Sequence, residues 1–198
     1  MKYLEKIQGL LPLGYIYLII LGLLKEALLF YPLGINILKY SSITDILISP
    51  ISDMVANPIL ILVIVSVVLL FFLFQTFLVR YSHKGWVRKI LISYKMNPEL
   101  NKQELRKAMI PVFIILAGFE LLALFIGLGI GHGEKIKKKL DSQTLQPNYI
   151  LTSDSGEPSP IHLIDINSAY YFYVKKGEKQ IKIAPVGSIE TLEVIPKK

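Results

Sequence analysis

The sequence predicts a membrane α-helical protein with three transmembrane helices and a small C-terminal antiparallel β domain, an SH3-like barrel or sheet of about five strands. Two observations carry this. Three stretches are dense in Ile, Leu, Val and Phe and almost free of charge, whereas the C-terminal region breaks into short apolar runs separated by turn residues. The 198-residue chain is 53% apolar, lacks cysteine and carries 22 Lys+Arg against 15 Asp+Glu. That apolar share lies a little above the soluble norm of roughly 45–50%, so its distribution says more than its size. This pattern excludes a fully soluble enzyme, a disordered tail and a disulfide-stapled secreted scaffold.

The first apolar region is interrupted. Leu10 to Leu24 is uncharged, Lys25-Glu26 follows, and Ala27 to Leu38 is uncharged again. A cleaved secretory leader would need a small-residue cleavage site after the apolar run, and none follows. A retained helix spanning residues 10–31 is expected. Pro32 and Gly34 then break it. Ser42-Ile43-Thr44-Asp45 has the form of a capping box, and Pro50 is expected to end the segment it opens. A short helix in the membrane interface, or a structured outer loop, fits this stretch.

The second span is the clearest. Met54 to Val79 carry no charge, Asn57-Pro58 opens the run, and Tyr81 and Trp86 lie beyond its far end, where aromatic side chains favour the interface. About 20 apolar residues cross a bilayer, so this run suffices. The third, 108–131, holds a single charge, Glu120. Asn101 and Glu104 have capping-box spacing ahead of it, and Pro111 is expected to kink or break the helix near its entry. The chain thus divides into a helical domain over 1–135, with spans over 10–31, 54–79 and 108–131, a polar linker over 136–146 and the β domain over 147–198.

Basic residues set the expected orientation. The connection between the second and third spans holds Arg80, Lys84, Arg88, Lys89, Lys95, Lys102, Arg106 and Lys107, and the N-terminus holds Lys2 and Lys6. The connection between the first two spans holds only Lys39. Positive charge stays inside, so the expectation is a multi-pass protein of the cell (inner) membrane with a cytoplasmic N-terminus and an extracytoplasmic C-terminal domain. Lys135, Lys137, Lys138 and Lys139 run against this count. Arg80, Lys84, Arg88 and Lys89 mix with apolar residues at helical spacing and are candidates for contact with anionic lipid. No nucleic-acid partner is expected, because topology alone accounts for this charge.

From Tyr149 onward the chain reads as strands. Runs at 149–151, 161–164, 170–174, 181–183 and 192–195 are separated by Asp154-Ser155-Gly156-Glu157-Pro158, by the hairpin signal Lys175-Lys176-Gly177-Glu178 and by Gly187-Ser188. Tyr170 to Tyr173 places aromatics on both faces of one strand. Either that strand is covered on both sides or one aromatic face meets a partner.

The candidate functional residues lie in the spans. Glu120, Ala123, Gly127 and Gly131 share one helical face, and Gly14, Leu18, Gly22 and Lys25 share another. Small residues let helices approach closely, so Glu120 is expected in a helix contact with Lys25 as its partner. That pair is either structural or part of an ion path. In a third reading Lys25 snorkels to the headgroups beside Glu26 and Glu120 is protonated. No metal-ligand spacing, phosphate loop or nucleophile elbow appears, and no cofactor is expected. The expected function is a non-enzymatic assembly, sensing or accessory subunit that contacts a protein partner or a second copy through its β domain. The alternative is a small oligomeric channel or transporter subunit using the Glu/Lys pair.

Overall fold

The computed structural model describes residues 2–154 and 156–196. Five helices, α1 (Lys2–Phe30), α2 (Ile43–Ala56), α3 (Pro58–Arg80), α4 (Gly85–Ser93) and α5 (Lys102–Asp141), precede five strands. The strands are β1 (Tyr149–Ser153), β2 (Ser159–Ile166), β3 (Tyr170–Lys175), β4 (Lys182–Pro185) and β5 (Ile189–Val194). Three segments are long and apolar enough to cross a membrane: Leu11–Leu33, Pro58–Arg80 and Lys102–Asp141. The strands form one open antiparallel sheet in the order β4-β3-β2-β1-β5, so of the two expected forms the molecule has the sheet. The chain folds as two compact units, one formed by Ser52–Leu124 and the other by the remaining residues.

In the larger unit the second half of α1 organises the packing. The capping box before α2 forms, with Ser42 N donating to Asp45 Oδ2 at 2.9 Å and Asp45 N donating to Ser42 Oγ at 3.1 Å. Pro50 does not end this helix, which runs on to Ala56. Proline lacks the N–H that would bond the carbonyl four residues back, so Ile46 loses its helical donor. That carbonyl lies against Gly22 of α1, where a Cβ would fall far inside van der Waals contact. Glycine is therefore required at 22 by close approach, to α2 and not to the third span that the face of α1 was expected to meet.

α5 meets α1 through a different face from the expected one. A Cβ on Gly129 would lie 2.5 Å from the Lys25 carbonyl oxygen, and one on Gly133 would overlap the Leu29 carbonyl. Lys25 and Leu29 thus pair with Gly129 and Gly133 in ascending order, so these segments run parallel. Phe125, Gly129, Gly133 and Ile136 form the buried face, whereas Glu120, Ala123, Gly127 and Gly131 are exposed. Among the described residues, and apart from the helix's own backbone, nothing lies within 4 Å of a Cβ built on Gly127 or Gly131. Two stripes of i, i+4 glycines overlap on this helix, and only packing selects between them. Pro111 does not divide α5 into two elements, and the helix continues to Asp141 through the first part of the expected linker.

Both faces of β3 are covered. One face buries Phe172 completely against Leu29, Phe30 and Ile37, with the Phe30 and Phe172 rings 4.9 Å apart. Burying a side chain of this size contributes about 1.5–3 kcal/mol. The other face gathers Leu151, Ile161 and Tyr173, with Leu163, Tyr171 and Leu192 around them, all from the sheet itself. Strand alternation of the four aromatics therefore serves two cores. Gly177, at φ +82°, turns β3 into β4 as the hairpin signal predicted.

The smaller unit joins α3, α4 and the start of α5. Leu78, Val79, Val87, Leu91, Leu105 and Met109 form its buried cluster. Asn57 caps α3 through its side chain, so the helix opens at Pro58 and the first residues of the expected second span belong to α2. The Asn101–Glu104 capping box opens α5, with Glu104 N donating to Asn101 Oδ1 at 2.9 Å. Most of α3 presents Ile, Leu, Val and Phe outward, as a lipid-facing helix must. Ser66 and Thr76 satisfy their hydroxyls on the carbonyls of Leu62 and Phe72.

The glycine contacts are directly testable. Gly22→Ala and Gly129→Ala each force a methyl into a backbone carbonyl and should cost about 1–3 kcal/mol, read as a lower thermal midpoint in detergent. Gly127→Ala should change stability by less than about 0.5 kcal/mol in the monomer. Equal losses in all three would place the α5 contact on the wrong face.

Candidate functional site

The second half of α1 carries the only adjacent pair of opposite charges in its apolar stretch, Lys25-Glu26, and both are buried, at 9% and 6% exposure. Lys25 Nζ donates to Glu26 Oε1 at 2.7 Å and to Ser49 Oγ of α2 at 3.1 Å. Ser49 Oγ in turn donates to Glu26 Oε1. A buried ion pair survives only when hydrogen bonds replace the lost water, and here a hydroxyl from α2 completes it. Glu26 Oε2 is buried without a donor of its own.

The sheet brings a second carboxyl to this pair. The β2–β3 register shifts between Leu163 and Asp165, so that Leu163 pairs with Tyr173 whereas Asp165 pairs with Phe172. Without the extra residue Asp165 would share the face of Leu163 and Tyr173. The bulge turns it to the Phe172 face, which packs on α1. Asp165 Oδ1 accepts from Ile166 N at 2.8 Å. Burial is the main cause that raises the Asp165 pKa, to about 7; the Glu26 charge and a hydrogen bond with Glu26 add to it, and Lys25 opposes. Two carboxyls that meet in a desolvated site cannot both ionise at ordinary cost. In its protonated form Asp165 can donate to Glu26, whose Oε1 is already taken by Lys25 and Ser49.

A second polar latch flanks the first. Asp45, while capping α2, accepts from Ser168 N and Ser168 Oγ, both at 3.0 Å, at the β2–β3 turn. Asn167 Nδ2 donates to the Tyr40 carbonyl at 3.1 Å. Burial works against the Asp45 charge, but the hydrogen bonds donated by Ser42 and Ser168 outweigh it and lower the pKa. Asp45 therefore stays ionised in the range where Asp165 titrates.

The residues singled out by sequence are distributed differently. Lys25 and Gly22 lie in the packed half of α1. Glu120 is in the other unit, in an apolar groove between α3 and α5 lined by Val63, Val67, Gly118 and Leu121. Of the basic residues beyond α3, Arg88 pairs with Glu99, and Lys84 Nζ sits 4.9 Å above the Tyr81 ring; Arg80 and Lys89 are exposed. Glu26, Ser49 and Asp165 were not anticipated as a group. The available signals were an acid beside Lys25 in an apolar helix and an acid between two isoleucines in a strand. No group of three or more His, Cys, Asp and Glu that could hold a metal occurs among the described residues. No family model, curated protein or solved structure matches the chain.

The carboxyl pair predicts a pH dependence. The folded Asp165 pKa lies above the ordinary carboxylate range, so folding takes up a proton. The resulting stabilisation is complete at low pH and is lost as pH rises through about 7. In detergent, the thermal midpoint of the wild type should fall relative to that of Asp165→Asn between about pH 5 and 8. Parallel profiles would show that Asp165 titrates as an ordinary surface acid.

Proposed function

We propose that the protein is a non-enzymatic, multi-pass subunit of the cell membrane that holds its β sheet on the extracytoplasmic side as a contact surface for assembly with a protein partner. The observation that carries this reading is the way the sheet is fastened. Phe172 is buried on the end of α1, and the Asp165 and Asp45 contacts hold β2 and its turn to α1 and α2. A sheet held this way transmits a load or a binding event to the first span, which a tethered domain cannot do.

The sheet edges say how a partner would touch it. β4 carries Lys182 and ends in Pro185, and β5 exposes Glu190 and Glu193. Charges and proline on edge strands oppose the addition of a further strand. Recognition through side chains is favoured over strand addition; Lys182 is already paired with Glu178, so the exposed acids of β5 are the charges available to a partner. The orientation comes from the basic connection between the second and third spans, which the positive-inside rule keeps in the cytoplasm.

Two measurements test the reading. A reporter active only outside the cytoplasm should be active after residue 196 and silent near Asn97; the reverse pattern overturns the orientation. A photo-crosslinker placed at Thr191, exposed between Glu190 and Glu193 on β5, should then capture one heteromeric partner in stoichiometric yield, and adding Glu190→Lys/Glu193→Lys should abolish the capture. A homo-oligomer that conducts ions in liposomes, with flux lost in Glu120→Gln, would replace this reading with the channel or transporter subunit.

A further inference from the structure

A pocket opens between the last turn of α3 and the first turns of α5, lined by Thr76, Val79, Arg80, Lys102, Gln103 and Arg106. Three of the six residues are cations, and all three are exposed. Among the described residues none of them is paired with an acid. The acids nearest in sequence are used elsewhere: Glu99 pairs with Arg88, and Glu104 accepts from Asn101 N at 3.3 Å.

The scaffold around the pocket is packed. Val79 and Leu105 belong to the buried cluster of this unit. Gln75, 8% exposed, donates from Nε2 to the Arg106 carbonyl at 3.0 Å and ties α3 to α5 beside the pocket. Three exposed like charges therefore line one corner of a packed scaffold. An anion bound among them would offset their mutual repulsion.

The position of the pocket narrows the choice of anion. Arg80 closes one membrane-crossing segment and Lys102 opens another. From these ends both helices continue as exposed apolar surface, with Phe72 and Leu73 on α3 and Ile110 and Ile114 on α5. A ligand with an anionic head and an apolar tail matches both parts. We propose that this pocket binds the phosphate-bearing headgroup of an anionic membrane lipid, with Arg80, Lys102 and Arg106 as its ligands and the acyl chains along α3 and α5.

Arginine presents a planar fork suited to two phosphate oxygens, and lysine adds a point charge. Basic pockets between transmembrane helices on the cytoplasmic side suit such headgroups. The site differs from the surface expected from sequence, sharing only Arg80 with it. It rests on these helices spanning a bilayer and is independent of the role proposed for the sheet.

Native mass spectrometry of the full-length protein in detergent, titrated with phosphatidylglycerol and with phosphatidylcholine, tests the site. Phosphatidylglycerol should bind at least about tenfold more tightly, and Arg80→Gln/Lys102→Gln/Arg106→Gln should weaken it roughly hundredfold, about fivefold per cation. Lys84→Gln/Lys89→Gln, outside the pocket, should change it by less than about threefold. Equal losses in the two variants would mean diffuse surface charge and overturn the site, as would the absence of a preference for phosphatidylglycerol. Glycerol phosphate or inorganic phosphate binding as tightly as the lipid would assign the pocket to a soluble anion, and competition by an oligonucleotide at physiological salt to nucleic acid. Either overturns the lipid. Should circular dichroism show the triple variant misfolded, Lys102→Gln and Arg106→Gln decide singly, each with an expected loss of about fivefold.

Discussion

The packed half of α1, from Gly22 to Phe30, is the constraint on which the larger unit depends. Within about two turns it accepts the Ile46 carbonyl at Gly22, offers its own carbonyls at Lys25 and Leu29 to Gly129 and Gly133, and ends in Phe30 on Phe172. Each contact leaves a backbone little room to shift. The same turns also bury Lys25 and Glu26, which hold only while α2 supplies Ser49 and β2 supplies Asp165. Close packing and charge satisfaction thus make one requirement: α2, the end of α5 and the sheet must all be in place together.

Proline takes an unusual part in this arrangement. Pro50 removes one helical hydrogen bond and leaves the Ile46 carbonyl turned toward α1. Only a glycine lets α1 approach that carbonyl, so one local defect is matched by one small residue. In a membrane setting a carbonyl without its donor is expensive; a close helix shields it from lipid. The bulge in β2 works in a similar way, because one unpaired residue redirects Asp165 from the inner face of the sheet to α1.

The two units differ in how they treat charge. In the larger one, Lys25 and Glu26 are buried and matched to each other and to Ser49. In the smaller one, Arg80, Lys102 and Arg106 gather at an open pocket and await an external anion. Glu120 stands between these cases, a carboxyl in an apolar groove with its face of α5 exposed. Among the described residues the groove around it is lined by apolar side chains.

The sequence by itself determined the three spans, the caps at Ser42 and Asn101, the turn at Gly177 and the five strands. Each of these follows from local hydrophobic period, run length or turn chemistry. Both capping boxes formed because their donors and acceptors lie three residues apart and need nothing from the rest of the fold. Only the tertiary structure decided the rest. Gly127–Gly131 and Gly129–Gly133 have the same spacing, and the choice between them depends on where the Lys25 and Leu29 carbonyls lie. Pro50 and Pro111 read as breaks, yet cooperative helix on either side outweighs one missing bond when the neighbouring turns are packed or lipid-bound. Asp165 reaches Glu26 through a bulge that alternation cannot foresee and across a sequence separation that no local pattern encodes. The charge partners were decided by burial, which depends on every element that closes over them.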